Sequence, residues 1–581
     1  MRLTTCPLDC FDGCSIVVGE NLKLKGNKAH PITQGYLCHH LNHYHQFERI
    51  EEPRYLGQSI SMDEALKILV EKLQGHAPSK TLYFKGSGNL GVMQSASKRF
   101  FAEHHAILAS GSLCDEAGDV GICEGRGANL ALSPLHVKEA EVVILWGRNP
   151  SVTNSHMLPS LKGKTLIVID PVKIELANHA ALHFSIKPKG DLFLALALAK
   201  ALLHVNKEDK AFLQERTLNF EAFREFLEGF SQEELLLKAD VSTSQIEQFL
   251  ELIHGKKVCI LAGVGVQKYR FGHSVLRSID ALGALLGLFG KEGCGVGYLS
   301  NSGFGFYAPF KVKAQTEPLP IVDFSKFELV FIQGGNPLSQ MPSTLNVREG
   351  IEKASCVVYF GLHENETSQK AHLVIPACSF LEKEDVKLSY GHPFIGRMPK
   401  LVESKMGVSE YALTQTLLKA FGYTPLEEEK TIIEVVIDSN GVQKEGFLIS
   451  KSYEDLPYAK GFYTPSGRFE FLESFEEEPL MDEGFYLISA KQNRSLNSQF
   501  ITDDYLYVPK SLGLEQEDRV LLSSAYGSCE YAVMPCEELR DDCLLLYSGA
   551  KNGNVLTPHL MSQKGECAVY QEVKVRLDKK K

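Results

Sequence analysis

Four cysteines among the first 38 residues, Cys6, Cys10, Cys14 and Cys38, constrain this chain more than any other feature. Three residues separate the first from the second and the second from the third, and 23 separate the third from the fourth. One turn-rich segment thus supplies three thiols and a returning loop supplies the last. A 4Fe–4S cluster needs four thiolates converging on one cube, and this spacing can deliver them. Zinc accepts the same ligand type, but intervals of three are looser than the two-residue knuckle of common zinc sites, so the cluster is the favoured reading. Unrelated buried thiols are the plain alternative, yet free cysteines rarely bunch in this way.

A chain of 581 residues is too long for one core, so several domains are expected. Hydrophobic residues at 44% and charged residues at 23% describe an ordinary globular protein. A net charge of −11 without any long basic run argues against a nucleic-acid partner. No apolar stretch reaches the roughly eighteen residues of a membrane span. The 14 cysteines, with no export signal ahead of Cys6, read as reduced thiols and metal ligands and not as a disulfide framework. The expected compartment is the cytoplasm, unless the protein is exported on a partner's signal.

Through the middle of the chain short β-branched apolar runs alternate with helical stretches, the pattern of a parallel sheet covered by helices. Strands are predicted at 141–145, 165–169, 258–262, 329–333 and 356–360, and helices at 192–204 and 275–289. Doubly wound α/β is the fold class this supports. The segment before residue 54 lacks such periodicity. Beyond residue 484, short strands at 505–509, 519–523, 531–534 and 544–547, with no helix between them, predict a small β-barrel cap. The acidic run Glu476, Glu477, Glu478 with Pro479 makes a plausible linker into it.

One pattern recurs within the α/β region. An apolar strand runs into Trp146-Gly147-Arg148-Asn149-Pro150, and a later one runs into Gly334-Gly335-Asn336-Pro337. Glycine lets the backbone turn at the strand's carboxyl end and approach a ligand, asparagine offers donor and acceptor, and proline stops the strand. In open α/β sheets nucleotides bind at that edge. Each strand is followed by another ending in polar groups, Asp170 in the first case and the 363–367 stretch in the second. Two nucleotide-like sites related by pseudo-symmetry are expected.

These residues stand in order with further landmarks: Cys-Pro-Leu-Asp-Cys-Phe-Asp-Gly-Cys at 6–14, Gly35-Tyr36-Leu37-Cys38, and the runs 60–66, 187–191, 366–367, 381–385 and 554–557. From Cys6 to the C-terminus the chain thereby resembles the dimethyl sulfoxide reductase superfamily, enzymes whose molybdenum or tungsten is carried by bis-molybdopterin guanine dinucleotide. The resemblance implies an iron–sulfur domain over 1–53, α/β domains over 54–140 plus 320–480 and over 141–319, and a barrel over 481–581 that closes on both pterins. It implies that Gly147, Asn149, Asp170 and Asp191 contact one dinucleotide, that Gly335, Asn336, Glu366 and Thr367 contact the other, and that Asn554 reaches a pterin.

The same family needs one protein ligand on its metal, in the loop ahead of the Trp146 strand. Cys114 falls there, with Cys123 and Ser112 as competing assignments. Two departures qualify the likeness. His40 stands where members commonly carry lysine or arginine between cluster and pterin, so it is the candidate electron relay. Asp115 stands where formate dehydrogenases place histidine, which speaks against formate oxidation; Asp115 and Glu116 either carry a proton or face solvent. The implied activity is two-electron, oxygen-atom or sulfur chemistry on a small molecule, with polysulfide or thiosulfate reduction preferred. Electrons would pass through the cluster to an iron–sulfur or ferredoxin-like partner. A non-redox hydratase and a metal-free electron-transfer subunit are the alternatives.

Overall fold

The computed structural model describes residues 2–87, 90–301, 303–476 and 483–580. Its centre is a pair of parallel sheets. The first has five strands in the order Leu182–Phe184, Thr165–Ile169, Val142–Trp146, Val258–Ala262 and Gly295–Gly297, all parallel. Alternation of side chains along a strand sends Val142, Ile144 and Trp146 into one apolar core and Val143 and Leu145 into the other. The first core is completed by the helices Asp191–His204 and Gly272–Leu285.

The second sheet has eight strands: Gln315–Pro318, Ile107–Ser110, Thr81–Lys85, Leu329–Gln333, Cys356–Gly361 and Leu373–Pro376 run parallel, and Arg54–Tyr55 and Gln58–Ser59 add an antiparallel edge. Leu329 and Phe331 pack beneath the helices Met62–Gly75 and Glu410–Ala420, while Val330 and Ile332 face Val347 and Ile351 of the helix Thr344–Lys353. The landmark at 60–66 has a local reason here, since the Ser61 hydroxyl accepts from the Glu64 backbone N–H at 3.2 Å and caps the first of these helices.

Both sheets change winding direction between two neighbouring central strands. In the first the switch lies between Val142–Trp146 and Val258–Ala262, in the second between Thr81–Lys85 and Leu329–Gln333. At each switch two backbones nearly touch. A Cβ on Gly263 would lie 1.7 Å from the Gly147 carbonyl oxygen, and one on Gly86 would lie 2.4 Å from that of Gly334. Only glycine fits, and Gly147 and Gly334 also adopt φ of +58° and +55°.

All five α/β strands expected from the sequence are present, shifted by at most one residue at either end. The helix expected to run to residue 289 stops at Leu285, because Gly287 takes φ of +61° and its N–H bonds back to the Ala284 carbonyl at 3.0 Å. The barrel is present and closed, with strands in the order Phe485–Ala490, Cys543–Tyr547, Leu506–Pro509, Ser528–Cys536, Arg519–Ser523 and Lys574–Lys579. Of the expected linker only Glu476 lies within the described residues. The N-terminal segment forms an antiparallel sheet of Arg2–Thr5, Ser15–Val18 and Leu24–Gly26. The Cys6 N–H donates to the Cys14 carbonyl at 2.9 Å and closes the loop that carries Cys10. Among the described residues no helix is long and apolar enough to cross a membrane.

The helix Glu116–Arg126, which follows Cys114, packs lengthwise on Gly272–Leu285. A fully buried ion pair clamps the two: Arg126 Nε donates to Asp280 Oδ2 at 2.7 Å, and its second nitrogen bonds Oδ1. Removing one member of such a pair strands a charge in the core. Asp280→Ala is therefore expected to cost about 3–5 kcal/mol, read as a lowered urea midpoint; an unchanged midpoint would refute the clamp.

Candidate functional site

A cavity of ≈2070 Å³ lies between the N-terminal segment, the carboxyl edges of both parallel sheets and the barrel. Its wall contains Cys6, Cys10, Cys14, Cys38, His40, Cys114, Asp115, Gly147, Asn149, Asp170, Asp191 and Asn554. Residues far apart in sequence are thus gathered on one space.

The four cysteines occupy one end. Burial pushes their thiols up, Cys6 to about 11, and each negative neighbour adds to this; Lys387 pulls Cys6 back. Among the described residues no three His, Cys, Asp or Glu side chains are grouped around a single ion position. His156 Nδ1–H donates to Asp12 Oδ2 at 2.7 Å, and its Nε2 faces the Cys14 sulfur at 4.0 Å. His40 also borders this end. Its ring stands edge-on to Phe500, its Nε2 is buried without a partner among the described residues, and burial with the adjacent His39 pushes it down to about 4.

Cys114 is held by its own backbone. The Ser112 hydroxyl accepts from the Cys114 N–H at 2.8 Å, Gln267 Nε2 donates to the Cys114 carbonyl at 2.7 Å, and Lys268 Nζ donates to the Leu113 carbonyl. Burial and the Asp115 charge push the thiol up to about 12, opposed by Lys268 and Lys491. Of the competing residues, Ser112 has its hydroxyl engaged in this turn, and Cys123 lies on the following helix with its sulfur toward Asp119, away from the cavity wall. Asp115 faces the cavity and burial raises it to about 6; Glu116 is on the exposed rim and burial with its acidic neighbours raises it to about 7.

At the first sheet edge polar groups are left open. Asn149 Oδ1 and the neighbouring Arg148 Nε are buried without partners among the described residues. Burial raises Asp170 to about 7 and Asp191 to about 6, the latter still accepting from Trp146 Nε1–H at 2.7 Å. Such orphaned acceptors and donors fit a nucleotide edge. The second motif is placed differently. Gly335, Asn336, Glu366 and Thr367 do not line the cavity. Asn336 donates to Glu366 at 2.7 Å and accepts from the Thr367 hydroxyl at 2.9 Å, so these groups satisfy one another. In their place Lys85, Gly86 and Ser87 line this edge. Asn554 borders the cavity while its amide holds the carbonyls of Ser339 and Gln340, at 2.7 and 3.2 Å, and so ties the barrel to the second sheet.

Sequence reasoning missed Lys85, Lys98, Lys268, Lys387, Lys491 and Tyr390, all in the wall. None belongs to a spaced motif, and Lys268, Lys387 and Tyr390 meet partners 155 to 381 residues away.

A family model described as molybdopterin oxidoreductase matches residues 58–408. Probable oxidoreductase YyaE of Bacillus subtilis (strain 168) is 28% identical over 523 residues, covering 82% of this chain and 78% of that protein. Formate dehydrogenase H of Escherichia coli (strain K12) is 24% identical over 492 residues, covering 72% and 68%. Among solved structures, acetylene hydratase from Pelobacter acetylenicus aligns with a TM-score of 0.81 at 16% identity, covering 100% of each chain, a likeness of fold.

The raised carboxyl of Asp170 gives a pH signature. Its folded value of about 7 lies above the ordinary carboxylate value, so its stabilising contribution is present in acid and is lost as the pH rises toward 7. The unfolding midpoint of the cofactor-free chain is expected to fall from about pH 4 to pH 7, the window set by these two values, and Asp170→Asn to flatten that slope. A slope identical in wild type and variant would contradict the assignment.

Proposed function

The chain belongs to the molybdopterin oxidoreductases of the dimethyl sulfoxide reductase superfamily, and we propose that it is the catalytic subunit whose cavity holds a metal-bearing bis-molybdopterin guanine dinucleotide beside a 4Fe–4S cluster. The observation that carries this reading is the continuity of the cavity, which runs from four cysteines past Cys114 to both sheet edges. When bound, the metal supplies two-electron or atom-transfer chemistry and the cluster supplies single-electron transfer.

The chain's own residues then take defined parts. Cys6, Cys10, Cys14 and Cys38 hold the cluster, and their intervals of three residues favour it over zinc. The Cys114 thiolate ligates molybdenum or tungsten, for which a soft sulfur donor is suited. Gly147 gives close approach at the first edge, where Asn149, Asp170 and Asp191 accept from a guanine or ribose. Gly335, Asn336, Glu366 and Thr367 shape the second edge from behind it, and Asn554 keeps the barrel closed over both. Asp115, in reach of the cavity and raised to about 6, takes up and releases a proton next to Cys114 around that pH.

The substrate is a small anion. Among the described residues Lys98 has no ion pair or hydrogen bond, and Lys85 donates only to the Gly86 carbonyl at 3.2 Å. Burial and the like charge of Lys98 lower Lys85 to about 8. Two such cations on the wall favour an oxyanion or sulfur anion of the thiosulfate or polysulfide type. Electrons leave or enter through an iron–sulfur or ferredoxin-like partner.

Anaerobically purified protein is expected to carry about four iron atoms and about one molybdenum or tungsten per chain. Cys114→Ala is expected to bring turnover to background with the iron content intact. Iron without molybdenum or tungsten would favour an electron-transfer subunit, and turnover that needs neither electron donor nor acceptor would favour a hydratase.

A further inference from the structure

Two buried lysines four residues apart are treated differently by this fold. Lys383 meets Glu410 at 2.7 Å, the ordinary way to bury an ammonium. Lys387, at the end of the strand Asp385–Lys387, is 2% exposed and has no ion pair among the described residues. Its Nζ donates to the main-chain carbonyls of Cys6, at 3.1 Å, and Leu8. Two carbonyl dipoles are poor compensation for a desolvated cation. Neither nearby carboxyl forms an ion pair with it among the described residues: Asp9, whose ionised form the Lys387 charge favours, accepts from Tyr390 at 3.3 Å, and Asp12 Oδ2 meets His156. Yet Lys387 borders both the cysteine loop and the cavity.

A cubane ligated by four thiolates is anionic in both its oxidised and reduced states, and would be the missing counter-charge. We propose that Lys387 is the cation that sets the potential of the iron–sulfur cluster on the side facing the cavity, a role that rests on the cluster reading above and that His40, packed against Phe500, does not fill. Lys387 arrives from a strand 381 residues beyond Cys6, so it is a positioning residue supplied from the second half of the chain. A fixed positive charge favours the more negative, reduced cluster.

The test is redox titration of the cluster, followed by electron paramagnetic resonance, in anaerobically purified holoprotein carrying Lys387→Met, Lys387→Arg or His40→Gln. Lys387→Met is expected to lower the reduced-to-oxidised ratio at fixed potential about tenfold, or ~59 mV for one electron. Lys387→Arg and His40→Gln are expected to titrate as wild type. Should Lys387→Met assemble no cluster while Lys387→Arg assembles it fully, the charge requirement is supported by iron content instead. A Lys387→Met cluster at the wild-type potential, equal shifts in the Met and Arg variants, or a shift confined to His40→Gln would each overturn the proposal. Zinc without iron in the wild-type protein would overturn the cluster reading itself, a result separable from the others before any variant is made.

Discussion

At the middle of each parallel sheet two strand ends pass so close that a single methyl group cannot be accommodated, Gly263 against Gly147 and Gly86 against Gly334. These crossings mark the points where winding reverses, and there the helices diverge and leave a crevice at the carboxyl edge. Because the two crevices open on a common space, the sheets define one large cavity instead of two small ones. The N-terminal cysteine loop and the barrel complete its walls. The arrangement of every candidate residue follows from this: each lies at a strand end, in the loop just beyond one, or on an element that covers the gap.

Charge burial follows a consistent logic around that space. Away from it, Arg126 is paired with Asp280 and Lys383 with Glu410. At its wall polar groups stay open: Asn149 Oδ1, Arg148 Nε, His40 Nε2 and Gln492 Nε2 have no partner among the described residues. Buried donors and acceptors are rarely left unsatisfied without a reason. Those on this wall, together with Lys387, which forms no ion pair among the described residues, fit an anionic, hydrogen-bonding occupant of considerable size.

Much of this was legible in the sequence, for identifiable reasons. The cysteine spacing, the β-branched runs and the two Gly-x-Asn-Pro turns are local patterns, and the strands at 165–169, 258–262 and 329–333 lie where periodicity placed them. The closing barrel strands Phe485–Ala490 and Lys574–Lys579 were harder to see, since each is completed by partners distant in the chain. The second asparagine motif shows the limit of pattern alone. It repeats the first in letters, yet Asn336 spends its amide on Glu366 and Thr367 while Asn149 keeps its oxygen free. Lys387 carried no sequence signal at all, because its meaning comes from carbonyls 381 and 379 residues away.

The most direct measurement is a crystal structure of the anaerobically purified protein with anomalous maps at the iron edge and at the molybdenum or tungsten edge. The account predicts compact iron density enclosed by Cys6, Cys10, Cys14 and Cys38, and a heavy-metal peak bonded to the Cys114 sulfur between two elongated organic densities that reach the Gly147 and Gly86 edges. A cavity filled by solvent alone, or a heavy-metal peak remote from Cys114, would contradict it.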